Sequence, residues 1–239
     1  MTDLAPSPVV LDLPRRPAPD AARLTDADLV RLADEMECAP AADVVAWAAE
    51  TFGSSLTLAA SMTDGVLIDV ASSVAPGIEV VFVDTQYHFQ ETLGTAEAIA
   101  ERYPIRLRVV WPTTRPDDLW RTDPDACCNA RKVLPMARAL QGRLAWVSGL
   151  RRVDAPARAE TPIIQRDARG LVKVNPLARW TDDDVEAYIA EHDVPVNPLI
   201  SQGYPSIGCY PCTRAVAAGE DPRAGRWDGT DKTECGLHL

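Results

Sequence analysis

The sequence predicts an α/β protein, a doubly wound and mostly parallel sheet followed by an irregular C-terminal tail. Three observations carry that expectation. Short apolar runs at Leu56-Thr57-Leu58-Ala59-Ala60, Glu79-Val80-Val81-Phe82-Val83, Ile105 to Val110 and Leu144-Ala145-Trp146-Val147 have the length of buried strands. Stretches with helical spacing separate the first three, and such alternation calls for parallel strands joined by crossover helices. Beyond Lys173 the character changes: Pro195, Pro198, Pro205 and Pro211 with Gly203 and Gly208 mark irregular backbone.

Residues 1–24 contain five prolines and no apolar period, so they read as a flexible leader before a single domain over residues 25–239. Thr25, with Asp28 three residues on, is an N-cap for a helix through Leu29, Val30 and Leu32. A second helix runs from Ala41 to Glu50 and is closed by Gly53. The polar loop Ser61-Met62-Thr63-Asp64-Gly65 leads from the first strand into a helix over Val66 to Val74. Strand, polar loop and helix form the unit that presents phosphate to a helix N-terminus. The second strand ends at Asp84-Thr85, and a helix follows from about Phe89 to Arg102. The fourth strand runs into Ser148-Gly149. Ligands of doubly wound sheets lie off the carboxyl ends of strands, where Ser61, Asp84 and Ser148 fall. Thr181 with Asp184 caps a last helix through Val185, Tyr188 and Ile189.

The 239 residues, 46% of them hydrophobic, suffice for one sizeable core. No apolar run reaches membrane-span length, and the start lacks the apolar centre of a signal peptide. A formal charge of −11 argues against general nucleic-acid binding. The charge is uneven. Residues 1–50 hold ten acids against four bases, whereas no acid lies between Asp125 and Asp154. That stretch carries Arg131, Lys132, Arg138, Arg143, Arg151 and Arg152, a basic island suited to a small polyanion; a solvated helix face is the alternative.

Six cysteines grouped as Cys127-Cys128 and Cys209-Tyr210-Pro211-Cys212, with Cys38 and Cys235 apart, fit a reducing cytoplasm better than a secreted disulfide framework. Three chemistries compete for the four grouped sulfurs. An iron–sulfur cube accepts neighbouring residues on different irons. Structural zinc takes four thiolates, although adjacent cysteines are an awkward half of a tetrahedral site. A redox disulfide at Cys209–Cys212 leaves the adjacent pair unexplained. Cys38 reads as a small buried apolar residue. Cys235 is a separate thiol in a tail of about residues 217–239, where mobility is expected.

Several motifs together resemble the assimilatory sulfonucleotide reductases, in the iron–sulfur form that reduces adenosine 5′-phosphosulfate. They are Val83-Asp84-Thr85 with Phe89 and Glu91-Thr92; Cys127-Cys128 with Arg131-Lys132-Val133; Ser148-Gly149-Leu150-Arg151-Arg152; Gly208-Cys209 with Pro211-Cys212-Thr213; and Lys232 through His238. The resemblance runs from about Leu56 onward and implies an adenine nucleotide alpha hydrolase-like, Rossmann-like fold. It implies a 4Fe–4S cluster on Cys127, Cys128, Cys209 and Cys212. It makes Cys235 the nucleophile that becomes S-sulfocysteine, with thioredoxin releasing sulfite in sulfate assimilation and cysteine biosynthesis. Lys132, Arg223, Arg226 and the Arg151-Arg152 pair are implied for the phosphosulfate, and His238 for phosphate or the thiol. Gly219, Gly225 and Gly229 then read as hinges that let the tail swing. Gln86 departs from the family, which often has glycine there, and Ser61 to Gly65 is poorer in glycine than many phosphate loops. A homo-oligomer is compatible with the family. Reduction of the 3′-phosphorylated nucleotide is the nearest alternative activity. An adenylating thiolase would carry a Ser-Gly-Gly-x-Asp-Ser loop, and an iron–sulfur sensor without reductase activity would carry a DNA-reading module; neither is present in the sequence.

Overall fold

A computed structural model describes Ala18, residues 20–230 and residues 232–237. In chain order its elements are α1 (Asp26–Glu35), α2 (Ala41–Phe52), β1 (Leu56–Ala60), α3 (Val66–Val74), β2 (Glu79–Val83), α4 (Gln90–Arg102), β3 (Arg106–Val110), α5 (Leu119–Thr122), α6 (Pro124–Cys128), α7 (Leu134–Ala139), β4 (Ala145–Ser148), β5 (Ile164–Arg166), β6 (Val172–Val174) and α8 (Asp182–His192). Thr25 and Thr181 each close a capping box, their hydroxyls accepting from the amides of Asp28 and Asp184, whose carboxylates accept in return. Gly53 ends α2 at φ 49°, a conformation glycine adopts at little cost.

The six strands lie in the order β3-β2-β1-β4-β6-β5. All neighbours are parallel except β5, which runs antiparallel to β6. The chain steps outward from β1 to β3 and then crosses to β4 on the other side of β1. The crevice above β1 and β4, where the winding reverses, is the ligand position of such sheets. Side-chain alternation assigns the two faces. Leu58, Val80, Phe82, Val147 and Val174 pack into the large core with α1 to α4, while Val81 and Trp146 meet Met136, Ala139 and Leu140 on the opposite face. Trp146 is fully buried there, and truncating such an aromatic costs about 3–5 kcal/mol.

Three expectations change. The outer strands β5 and β6 were not anticipated, because three-residue strands bearing Gln165, Arg166 and Lys173 have little apolar pattern. The leader ends before residue 24: Ala21–Arg23 form one 3-10 turn, and Ala18, Ala21 and Leu24 join the large core. Residues 1–17 and 19 of that leader lie outside the described residues. Cys38 is exposed between α1 and α2, not buried. No helix among the described residues is long and apolar enough to cross a membrane.

Candidate active site

Cys127, Cys128, Cys209 and Cys212 line one pocket, with Tyr87, Arg131, Lys132, Arg226 and Trp227 among its other walls. The adjacent pair ends α6, which starts with Pro124 at its first position and Asp123 accepting from the Ala126 amide at 2.9 Å. Directly afterwards Asn129–Val133 widen into a π turn that carries Arg131 and Lys132. Such turns recur at functional sites because the extra residue re-aims its neighbours.

Cys209 precedes the 3-10 turn Tyr210–Cys212, and the Cys212 amide donates to the Cys209 carbonyl at 3.0 Å. The turn is stapled to the loop after β2. The Tyr210 amide donates to the Tyr87 carbonyl at 2.7 Å, and His88 forms a β-bridge with Cys209. Thr85 Oγ1 accepts from the Tyr87 amide at 3.2 Å and lies 3.2 Å from Cys209 Sγ, so its hydrogen is available to the sulfur. All six cysteines are unpaired.

The pocket is electrostatically unusual. Burial and the neighbouring sulfurs push the Cys127 thiol up to about 11, and burial also raises Cys128 and Cys212. Burial works against the Lys132 charge, yet the sulfurs of Cys209, Cys235 and Cys128 hold its pKa above the ordinary lysine value. Burial and Arg223 press the Arg226 pKa down, with the same three sulfurs opposing. The Arg226 guanidinium lies over the Trp227 ring at 4.5 Å, and its Nη1 donates to Ser206 Oγ at 3.1 Å and to the Ile207 carbonyl at 3.2 Å. Its Nε has no partner among the described residues. Two enclosed cations facing the same sulfurs offset part of that burial cost and suit an anionic guest.

Among the described residues no three histidine, cysteine or carboxylate side chains converge on one point fit for a single metal ion. Cys127, Cys128, Cys209 and Cys212 could hold a sulfur-ligated group, since they share one pocket whose wall has no carboxylate or histidine and three cations, Arg131, Lys132 and Arg226.

After the second cysteine pair the chain doubles back. The Arg214 amide donates to the Gly225 carbonyl at 2.9 Å, and the Trp227 amide to the Cys212 carbonyl at 3.0 Å. This short hairpin returns Arg226 and Trp227 to the sulfurs and sets Arg223 against Thr233 and Glu234 of the tail. The tail then lies down across the molecule. Lys232 pairs with Asp125 of α6, Glu234 pairs with Arg158, and Leu237 packs on the second face of the sheet. Cys235 is half-buried between them.

Of the residues singled out in the sequence, Lys132 and Arg226 line the pocket of the four grouped cysteines, while Arg223 and Cys235 lie outside its lining, Arg223 joined to the tail through Glu234. Ser61 is exposed at the end of β1, 3.3 Å from the Thr63 hydroxyl. Asp84 follows β2 directly and accepts from the Gln86 amide at 2.8 Å and Trp111 Nε1 at 3.0 Å. Arg151, after β4, pairs with Asp154 and Asp182 at 2.8 Å each and leaves Nη1 without a partner among the described residues. Arg152 does not join it. Its guanidinium forks onto Glu37, with Nη2 2.9 Å from Oε2, because that carboxylate faces it from the turn before α2. His238 lies outside the described residues.

The start of α3 also differs from a free phosphate cradle. The Val66 amide donates to Asp64 Oδ1 at 3.0 Å and the Gly65 amide to the Pro195 carbonyl at 2.9 Å. A carboxylate of the chain already occupies that helix end, and burial raises its pKa.

Four residues carry roles that the sequence does not assign. Arg131, 1% exposed, pairs with Asp117 at 3.2 Å, donates to Gln86 Oε1 at 3.2 Å and lies over the Tyr87 ring at 4.6 Å. Its place beside Lys132 in the basic island was the signal. Gln86 holds φ 67°, which accounts for glycine being frequent there in the family it resembles. His88, which nothing in the sequence marks, lies tilted against Phe82 with ring centres 5.0 Å apart, and burial pushes its pKa down to about 4. Arg158 had no signal in the sequence, since its partner Glu234 is 76 residues away.

Residues 55–215 match the phosphoadenosine phosphosulfate reductase domain. A chain named adenosine 5′-phosphosulfate reductase from Mycobacterium tuberculosis is 47% identical, over 92% of this chain and 98% of its own. One of the same name from Mycobacteroides abscessus is 49% identical over 87% and 92%. The solved phosphoadenylyl-sulfate reductase from Candida auris, a phosphate complex, superposes with a TM-score of 0.71 at 28% identity, covering 81% of this chain and 98% of that one. With the domain matched across most of its length, the chain belongs to the phosphoadenosine phosphosulfate reductase family.

Proposed function

We propose that this chain reduces adenosine 5′-phosphosulfate to sulfite and AMP, with thioredoxin as the dithiol donor. The seating of Cys235 carries this reading: a half-buried thiol on a segment that Lys232 ties to α6, which ends in Cys127 and Cys128, and that Arg223 ties to the hairpin bearing Arg226. Relatives named for that substrate, at 46% to 49% identity over most of the chain, support the choice of nucleotide.

The sulfur of the substrate is electrophilic and joined through oxygen to the phosphate of AMP. A thiolate is the soft nucleophile this bond requires. Cys235 Sγ attacks the sulfur, the S–O bond breaks with its electron pair leaving on AMP, and S-sulfocysteine remains. A donor thiolate then attacks the Cys235 sulfur, and sulfite departs with the electron pair of the S–S bond. The second donor thiol resolves the mixed disulfide and returns Cys235 as a thiol. Two electrons pass from dithiol to sulfur, which balances the reduction. Lys132, Arg223 and Arg226 supply fixed cations for the sulfo and phosphate oxygens.

Cys127, Cys128, Cys209 and Cys212 would hold a 4Fe–4S cluster, which when bound supplies a structural anchor and a negative charge next to Lys132. Unpaired thiols at all six cysteines and a dithiol donor suit a reducing cytoplasm.

Mass spectrometry tests the reading. Protein mixed with adenosine 5′-phosphosulfate alone is expected to gain one sulfo group on the peptide holding Cys235, and reduced thioredoxin to release it as sulfite in equal amount. Side-by-side kinetics are expected to give a higher kcat/KM for this nucleotide than for its 3′-phosphorylated form. Turnover by Cys235→Ser, or an adduct on Cys38, defeats the proposal.

A further inference from the structure

Glu234 stands immediately before Cys235, and two arginines from distant parts of the chain close on its carboxylate. Arg158 grips both oxygens, Nε to Oε1 at 2.9 Å and Nη2 to Oε2 at 2.8 Å. Arg223 reaches Oε2 at 3.4 Å and donates to the Thr233 carbonyl at 2.8 Å. We infer that Arg158 and Glu234 are positioning residues for the sulfur-transfer step: the ion pair aims Cys235 at the cations of the pocket. This rests on the reductase reading above.

An exposed ion pair would carry little, since solvent screens it. Here the side chains of Arg158, Glu234 and Arg223 are only 13%, 19% and 20% exposed. A forked guanidinium–carboxylate contact at that burial fixes orientation as well as charge, and removing one partner strands the other. The segment is held on its far side too. The Leu237 carbonyl accepts from Arg169 Nη2 at 3.1 Å, and the Leu237 side chain packs against the second core. Cys235 is thus pinned from both directions, although its own side chain is committed to neither anchor.

The two arginines differ in what else they serve. Arg223 is a cation proposed for the phosphosulfate, so an arriving anion competes with Glu234 for it. Arg158 donates instead to Asp154 at 3.3 Å, and Asp154 in turn holds Arg151. Arg158 therefore keeps its grip on Glu234 when Arg223 turns to substrate. A tail that loses this grip moves the nucleophile, and a displacement of about 1 Å is enough to slow a reaction by about two orders of magnitude.

Two measurements on the full chain test the inference: alkylation of Cys235 by iodoacetamide without nucleotide, and the single-turnover rate of S-sulfonation by adenosine 5′-phosphosulfate. In Arg158→Gln and Glu234→Gln, alkylation is expected to quicken at least about threefold as the segment opens. S-sulfonation is expected to slow at least about tenfold. Nucleotide binding by Arg158→Gln stays near wild type, and thioredoxin releases sulfite from the formed adduct at an undiminished rate. Arg158→Lys, which keeps the charge but not the fork, recovers part of the S-sulfonation rate lost in Arg158→Gln, which a general loss of folding would not allow. Wild-type alkylation and S-sulfonation in both single variants overturns the inference. A wild-type chain that forms no adduct defeats the reductase reading, while the alkylation rates still decide whether the ion pair holds the tail.

Discussion

A methyl group on Gly208 would lie 2.6 Å from Cζ of Arg226, and closer still to its Nη2. The glycine next to Cys209 is therefore what lets an enclosed guanidinium lie flat beside the sulfurs. Gly208→Ala is expected to displace the guanidinium, since the clashing atoms are the far end of a flexible side chain. Overpacking of this kind costs about 1–3 kcal/mol. A charge-assisted hydrogen bond to substrate is worth about 1.5–3 kcal/mol, so KM for adenosine 5′-phosphosulfate should rise about tenfold or more. Initial-rate kinetics check it, and an unchanged KM would detach Arg226 from the substrate.

Protein purified without oxygen is expected to be brown and to hold about four irons with acid-labile sulfide per chain. Serine at Cys127, Cys128, Cys209 or Cys212 should remove iron, sulfide and colour together. Stoichiometric zinc without sulfide would show that the four thiols serve a different metal.

Much of this arrangement was legible in the sequence because its signals are local. The cap pairs Thr25 with Asp28 and Thr181 with Asp184 act over three residues, and β1, β2 and α3 begin and end where the apolar pattern does. The cysteine spacing exposed the sulfur set for the same reason. Pairings over long separations left no trace. Arg152 was expected beside Arg151 in the pocket, but Glu37, 115 residues earlier, takes its guanidinium. The strand β6 was hidden because a lysine at its centre breaks the apolar run that a buried parallel strand shows.

That lysine carries its own prediction. Lys173 is 1% exposed, with Nζ 5.2 Å from the Trp146 ring centre. Burial pushes its pKa down to about 8, with Asp167 opposing. An unfolded lysine titrates near 10.4. Below pH 8 both states are protonated, and the buried charge weakens the native state in full. As pH rises from about 8 towards about 10.4, the unfolded chain holds a proton that the native chain has released, so native stability increases. The urea midpoint of the wild type should therefore climb relative to that of Lys173→Met between about pH 7 and 10. Parallel curves for the two proteins would mean that burial does not penalise the charge.

Gly225 was expected to be a hinge like Gly219 and Gly229, but its surroundings give it another role. Gly219 and Gly229 do adopt left-handed conformations, φ 86° and 77°, with open space where a methyl would go. A methyl on Gly225 would instead collide with the Arg214 carbonyl oxygen, with the Arg214 carbonyl carbon 3.2 Å away. Those atoms are backbone and have no flexible end to swing aside. They belong to the hairpin in which Arg214 donates to Gly225 at 2.9 Å and Trp227 donates to Cys212 at 3.0 Å. Gly219→Ala should cost about 1 kcal/mol of backbone strain and leave catalysis nearly intact. Gly225→Ala should part the hairpin, carry Arg226 away from the sulfurs, and draw Arg223 off Glu234. Limited proteolysis should then cut residues 213–237 at lower protease concentration, and sulfite production should fall by about two orders of magnitude. A Gly225→Ala tail as protected as the wild type would show that the hairpin relaxes around the methyl, which would return Gly225 to the hinge role.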